Sequence, residues 1–194
     1  MGTSRIEAFS DGVIAIIVTI MVLELKLPGD GSLHALARIA PTMLSYALSF
    51  VVVAIMWVNH HQLMRAAKRP DGRLLWANNF LLFCMSLIPF ATSYLGQHYT
   101  EPLPVAVYGA VLTLACLGFT LLLSAIGRHR DHDRTILALA RQGKNWFSVF
   151  LYASSVPLAY LSIWVSFGIF VLIPVMYFMP ESLSDVDPNA ANRQ

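Results

Sequence analysis

Charged residues are scarce in this sequence. Lys, Arg, Asp and Glu together make up 12% of its 194 residues, about half the share found in soluble globular domains. Hydrophobic residues make up 57%, and they fall in runs of about 17–25 residues, the length that crosses the hydrocarbon core of a bilayer. This distribution excludes an ordinary soluble domain. The net charge of +2 gives no reason to expect a nucleic-acid partner.

Cysteine and the common catalytic motifs are also lacking. Cys84 and Cys116 each lie inside an apolar run, where a thiol packs as a small hydrophobe, and no CxxC pair predicts a zinc or redox site. We find no phosphate-binding glycine loop, no His-Glu-x-x-His and no Gly-x-Ser-x-Gly. We therefore expect no enzyme activity, no cofactor and no resident metal. A voltage-sensing arginine ladder and a Thr-Val-Gly-Tyr-Gly filter are missing too.

The apolar runs predict an all-α integral membrane protein with six transmembrane helices. The first four spans are predicted at residues 6–25, 37–63, 74–96 and 105–126, followed by a polar linker at 128–144. The uncharged stretch 146–179 is too long for one crossing at ordinary tilt, so we divide it near residues 160–162 into two short helices. Residues 1–180 then form one transmembrane domain, and the polar, acidic residues 181–194 predict a disordered cytoplasmic tail.

The basic residues predict the orientation. With six spans, eleven of the 13 Lys and Arg residues fall on one side of the membrane, and only Lys26 and Arg38 fall on the other. Cytoplasmic loops carry the excess of Lys and Arg in membrane proteins. Both termini are therefore predicted to be cytoplasmic.

Asp11 is the ionisable residue that lies deepest in the first span. Such a residue is costly inside a membrane and marks a functional site by default, so Asp11 needs polar partners at its own depth. We predict a hydrogen-bonded network there, drawn from these residues: Ser10, Asp11, Trp57, His60 or His61, and Asn78 or Asn79.

This network has two possible roles. We favour a lock between helices, because polar groups in lipid need partners. The alternative is a proton relay through the histidines, whose imidazoles titrate near physiological pH. Adjacent histidines alone do not make a metal site.

One face of the first helix carries a second pattern. At about 100° per residue, one stripe along the helix contains Arg5, Phe9, Gly12, Ile16, Thr19, Leu23 and Leu27, with Ile20 beside them. Asp11 and Glu7 point away from this stripe. Apolar stripes of membrane helices usually face lipid or a neighbouring helix, and a pore wall with Thr19 as its central polar group is the alternative. Periodicity alone does not decide between the two.

The start of the first helix resembles a family signature. Arg5, three intervening residues and then Phe9-Ser10-Asp11 resemble the motif that opens the first helix of the transmembrane protein 175 family of potassium channels. The six-span layout and the stretch from Trp57 to His60 also look like that family. The resemblance implies a bacterial plasma-membrane channel in which four copies of this chain surround a central pore, with residues 1–180 as the channel domain.

The resemblance also implies which residues meet the pore. Ile16 would form the narrowest ring, with Thr19 and Leu23 completing the constriction and selectivity region. Other pore-facing positions would be Arg5, Gly12, Ile20 and Leu27. A hydrophobic ring of this kind closes by dewetting, and an ion that passes it sheds part of its water, which costs potassium less than sodium.

The leading hypothesis is therefore a potassium-permeable channel. Its expected partners are potassium and other monovalent cations, further copies of the chain, and the lipid bilayer. A proton-conducting or proton-coupled transporter that uses Asp11, His60 and His61 is the alternative from another class, although the paired broken helices of transporters are missing. A non-conducting membrane scaffold is a third possibility.

Overall fold

The computed structural model describes residues 3–26, 28–67, 71–127 and 135–178. All regular secondary structure in these ranges is helical, so the predicted all-α class is confirmed for the described part of the chain. The helices are α1 (Thr3–Leu23), α2 (Leu33–Arg38), α3 (Ala40–Ala66), α4 (Gly72–Ser86), α5 (Ile88–Gln97), α6 (Pro102–Gly127), α7 (Thr135–Leu161) and α8 (Ile163–Phe178). The predicted tail at 181–194 and Leu27 lie outside the described residues.

Four helical stretches are long and apolar enough to cross a membrane. They are Thr3–Leu23, Ala40–Arg65, Gly72–Gln97 and Pro102–Ile126, and they coincide with the first four predicted spans apart from a few residues at each end. The predicted second span began too early, because Ala37 belongs to the short α2. The Ser32 side chain accepts a hydrogen bond from Ala35 N–H at 3.1 Å and so caps α2 as a separate helix.

The third of these stretches consists of two helices. Helix α4 begins at the N-cap Asp71, whose carboxylate accepts from Leu74 N–H at 2.9 Å. It ends at Ser86, and α5 begins at Ile88 with Pro89 in its first turn. Since Pro89 has no N–H to continue the hydrogen-bond ladder of α4, the predicted single helix at 74–96 is interrupted at Leu87.

The last two helices form an antiparallel hairpin. They meet at Ser162, inside the predicted division at 160–162. The Ser166 hydroxyl donates to the Ser155 carbonyl at 2.8 Å, and the Tyr177 hydroxyl donates to Asn145 Oδ1 at 2.8 Å. Because each pair joins a residue of α7 to one of α8, and the more distant pair along the chain encloses the nearer one, the chain reverses direction at the break.

The predicted linker at 128–144 is wrong in its second half. Helix α7 already begins at Thr135, eleven residues before the predicted start at Trp146. Leu, Ala, Arg, Gln and Lys dominate residues 136–144. These residue types have good intrinsic helix propensity, so this polar stretch continues the helix instead of ending it.

The packing leaves one side of α1 uncovered. Helix α6 packs against α4, α5, α7 and α8, whereas α1 packs against α3, α4 and α5. The contact between α4 and α6 is close at Gly118, where an added Cβ would lie 2.9 Å from the Leu81 Cα. Small residues permit such approaches in membrane bundles. The bundle therefore holds α1 from one side and exposes its other face.

Candidate functional site

A buried polar triad joins α1, α3 and α4. Asn78 Nδ2 donates to Ser10 Oγ at 3.0 Å, and Asn78 Oδ1 lies 2.8 Å from His60 Nε2. With its carbonyl oxygen turned to the ring, Asn78 accepts a hydrogen bond, so His60 carries its proton on Nε2. Ser10 and His60 are 0% exposed and Asn78 is 1% exposed. The triad is a fully buried bridge between three helices.

Two further pairs connect α1 with α3. Trp57 Nε1 donates to Asp11 Oδ1 at 2.9 Å, and His61 Nδ1 lies 2.7 Å from Glu7 Oε1. Both carboxylates are partly buried. Asp11 therefore has a partner at its own depth, as a carboxylate inside a membrane requires.

The structure separates residues that the sequence offered as equivalents. Of the two asparagines, Asn78 enters the triad and Asn79 is exposed outside it. Of the two histidines, His60 enters the triad and His61 pairs with Glu7. Asn79, offered as the alternative to Asn78, does not enter the triad, and Glu7 was not among the predicted network residues. The spacing of Glu7 and Asp11, four residues apart on one helix face, was the available signal.

The opposite side of α1 is exposed along its whole length. Its buried residues are Ile6, Ser10, Ile14, Ile17 and Met21. The exposed face of α1, as we call it, carries Arg5, Phe9, Gly12, Ile16, Thr19 and Leu23. Side-chain exposure there reaches 59% at Ile16 and 75% at Leu23. The structure thus brings the predicted stripe residues, Leu27 excepted, onto one open surface, with Ile20 at its edge at 43% exposure.

Thr19 is the polar group in the middle of this face. Its hydroxyl donates to the Ala15 carbonyl at 2.7 Å. Because the proton is used within the helix, the hydroxyl oxygen presents lone pairs outward. In this conformation Thr19 offers a ligand suited to a cation.

The other end of α1 is tied to α5. Ser93 Oγ donates to Glu24 Oε2 at 3.1 Å, and Gln97 Nε2 donates to Ser93 Oγ at 2.9 Å. The sequence analysis did not predict these contacts, since 69 residues separate Glu24 from Ser93. Within the described ranges, no group of three or more His, Cys, Asp or Glu side chains is arranged to hold a metal ion.

Comparison with known proteins adds independent evidence. The family model for the endosomal/lysosomal potassium channel TMEM175 matches residues 5–89, the range that contains the whole polar network. A potassium channel of Chryseobacterium sp. (strain P1-3) is 37% identical over 182 residues, which cover 93% of this chain and 95% of that relative.

Solved structures and animal proteins match as well. The crystal structure of a lysosomal potassium-selective channel TMEM175 homolog from Chamaesiphon minutus has a TM-score of 0.82 and 29% identity, and the match covers 90% of this chain and 95% of that one. The endosomal/lysosomal proton channel TMEM175 of Bos taurus is 32% identical over 136 residues, 60% of this chain and 28% of that protein. The near full-length similarity to the Chryseobacterium channel decides the assignment: this chain belongs to the TMEM175 family of ion channels and is a multi-pass membrane protein.

Proposed function

We propose that this protein is a potassium-permeable channel in which four copies of the chain surround a pore lined by α1. The observation that carries the proposal is the exposed face of α1, which runs from Arg5 to Leu23. The opposite face of α1 is buried and is hydrogen-bonded to neighbouring helices. The relatives named as potassium channels support the permeant ion. A single copy cannot enclose a water path with one helix face, so the pore requires an oligomer.

The constriction that we propose consists of four Ile16 side chains with Leu23 beyond them. Apolar rings of this kind conduct only while they remain wetted, and they gate by dewetting. An ion that passes Ile16 loses part of its hydration shell, and that loss costs more for sodium than for potassium. Thr19, one turn further on, compensates part of this cost because its hydroxyl oxygen faces the path.

We further propose six membrane crossings with both termini in the cytoplasm of a bacterial cell. The antiparallel hairpin of α7 and α8 supports two additional crossings, although at about 1.5 Å per residue the 16-residue α8 spans only about 24 Å. The distribution of Lys and Arg supports the orientation. An even number of crossings returns the C-terminus to the side of the N-terminus and its Arg5.

Substitution of Ile16 tests the constriction. We expect Ile16→Asn to raise conductance and to lower the preference for potassium over sodium, because the amide keeps the ring wetted. Potassium and sodium currents through the reconstituted protein measure both effects. Val22→Asn is the matched control, since Val22 is exposed on α1 but lies about 120° from Ile16 on the helical wheel.

Two results would remove Ile16 from the pore. One is an unchanged potassium-to-sodium ratio in Ile16→Asn, and the other is an equal change in Val22→Asn. Absence of potassium flux through the wild-type protein in liposomes would favour the scaffold hypothesis over the channel.

Proton conduction is the second candidate function. The imidazoles of His60 and His61 and the carboxylate of Glu7 are groups that can exchange protons, and the bovine relative is named a proton channel. If protons are the main permeant ion, the reversal potential follows the pH gradient and not the potassium gradient. His60→Leu should then abolish the proton current, whereas potassium permeation should survive in variants that remain assembled.

A further inference from the structure

A groove opens beside the exposed face of α1 and ends at a carboxylate. It has a volume of about 640 Å³ and lies between α1 and the α4–α5 segment, with Ile16 and Ile20 on its border. Glu24 lies at the end remote from the polar network, and it is the one carboxylate among the described residues that line the groove. A mobile cation near this end of α1 therefore meets a negative charge beside an apolar wall.

Glu24 is held at a defined position. Ser93, which is only 9% exposed, donates to its Oε2 at 3.1 Å and receives a hydrogen bond from Gln97 at 2.9 Å. Glu24 itself remains exposed. Lys26, two residues further on, is exposed in non-helical backbone and does not line the groove. Of these two neighbouring charges, the negative one is therefore the one fixed beside the groove.

The charges at the two ends of α1 have the same sign as the partial charges of the helix dipole there. Glu24 follows the last turn and its N–H still bonds to the Ile20 carbonyl at 3.1 Å, so the carboxylate adds to the partial negative charge of the helix C-terminus. Arg5 lies in the first turn, where the partial charge is positive, and within the described chain no ion pair joins it to another residue. Both placements are unfavourable for the helix alone. Each charge nevertheless acts on a cation in the same sense as the helix end beside it. Glu24 and the helix C-terminus attract a cation, whereas Arg5 and the helix N-terminus repel it.

We propose that the charges at the two ends of α1 make the channel pass cations more readily inward than outward. Glu24 raises the concentration of cations at the outer mouth of the pore, and Arg5 lowers it at the inner mouth. The inference rests on the proposed function, because only a pore lined by α1 brings four copies of each charge around one path. Four carboxylates about 10 Å from a cation in water, at a Debye length of about 10 Å in about 0.1 M salt, raise the local cation concentration about threefold.

Whole-cell recording of the full chain tests the proposal, since the cell sets the orientation. In symmetric potassium chloride at about 0.1 M, we expect inward conductance to exceed outward conductance, and at about 1 M, where the Debye length falls to about 3 Å, the ratio should approach one. Glu24→Gln keeps an oxygen that can accept the Ser93 bond, and we expect it to lower inward conductance about threefold at the lower salt. Arg5→Gln should raise outward conductance.

Asp30→Asn is the matched control. Asp30 lies on the same predicted side of the membrane and does not line the groove, and hydrogen bonds from Ser32 lower the pKa of its carboxyl group, so it is also charged in the assay. Its loss should leave the current ratio near that of the wild type.

Several outcomes overturn the proposal. Equal ratios in the wild type and Glu24→Gln do so, and so does an equal change in Asp30→Asn. Rectification that persists undiminished at the higher salt also contradicts it. If Glu24→Gln carries no current, a ratio of inward to outward conductance in Arg5→Gln that equals the wild-type ratio also contradicts the proposal. Absence of any wild-type potassium current refutes the proposed function itself, which is a distinct result.

Discussion

Asn78 gives the sharpest test of the polar network, because within the described residues it is the only hydrogen-bond partner of the His60 side chain. His60 is 0% exposed, its Nδ1 has no hydrogen-bond partner, and its Nε2 bonds to Asn78 Oδ1 at 2.8 Å. Asn78→Ala therefore leaves a fully buried imidazole without any hydrogen bond. Ser10 is less affected, because its hydroxyl also donates to the Ile6 carbonyl at 2.8 Å.

The magnitude follows from these two losses. Stranding a buried donor costs about 1–3 kcal/mol, and an interhelical hydrogen bond in a membrane protein is worth about 0.6 kcal/mol on average. We expect Asn78→Ala to lower the free energy of unfolding by about 2–3 kcal/mol. Asn79→Ala, at the exposed neighbouring position, should change it by less than about 0.5 kcal/mol. SDS-induced unfolding of the purified protein, followed by tryptophan fluorescence, measures both.

A double variant tests whether the stranded imidazole causes the loss of stability. His60→Leu with Asn78→Leu removes both polar partners, so no buried group is stranded, and such replacements can be nearly neutral. We expect the double variant to be more stable than Asn78→Leu alone. Equal unfolding midpoints for Asn78→Ala and Asn79→Ala would refute the reasoning, and so would a double variant less stable than the single one.

Three further predictions follow from contacts elsewhere in the bundle. Thr19→Val should lower potassium conductance severalfold in single-channel records, while Thr19→Ser retains it. Equal conductance of the two variants would show that the Thr19 hydroxyl does not contribute to potassium permeation. Asp11→Ala should reduce the yield of assembled protein in size-exclusion chromatography, whereas Asp11→Asn, which still accepts from Trp57, should not; normal assembly and current in Asp11→Ala would contradict the lock. Gly118→Ala should destabilise the bundle by about 1–3 kcal/mol, because its Cβ would press on the α4 backbone, while Gly168→Ala has open space and should be tolerated; similar melting temperatures would count against this close packing.

The sequence predicted those features that depend on one helix alone. The stripe that contains Ile16, Thr19 and Leu23 follows from the 3.6-residue period, and the need for partners at the depth of Asp11 follows from the cost of a charge in lipid. Both arguments use distances along a single helix. They required no knowledge of how neighbouring helices are rotated.

Rotation between helices is what the sequence left open. Asn78 and Asn79 differ by about 100° around α4, and only packing against α1 and α3 decides which one reaches His60. The bond between Glu24 and Ser93 was unpredictable for the same reason. The early start of α7 was missed because the prediction of membrane spans assigned the polar residues to a loop. These residues nevertheless have good helix propensity.

The distance between copies of Ile16 tests the central claim most directly. Spin labels at Ile16→Cys, with Cys84 and Cys116 replaced, permit pulsed electron-resonance distances in the assembled protein. If four α1 helices surround the path at interhelix spacings of roughly 10 Å, the labels must show two distances in the ratio of side to diagonal of a square, both within about 30 Å. A single distance, or separations near the full width of the assembly, would place Ile16 at the lipid boundary and contradict the account.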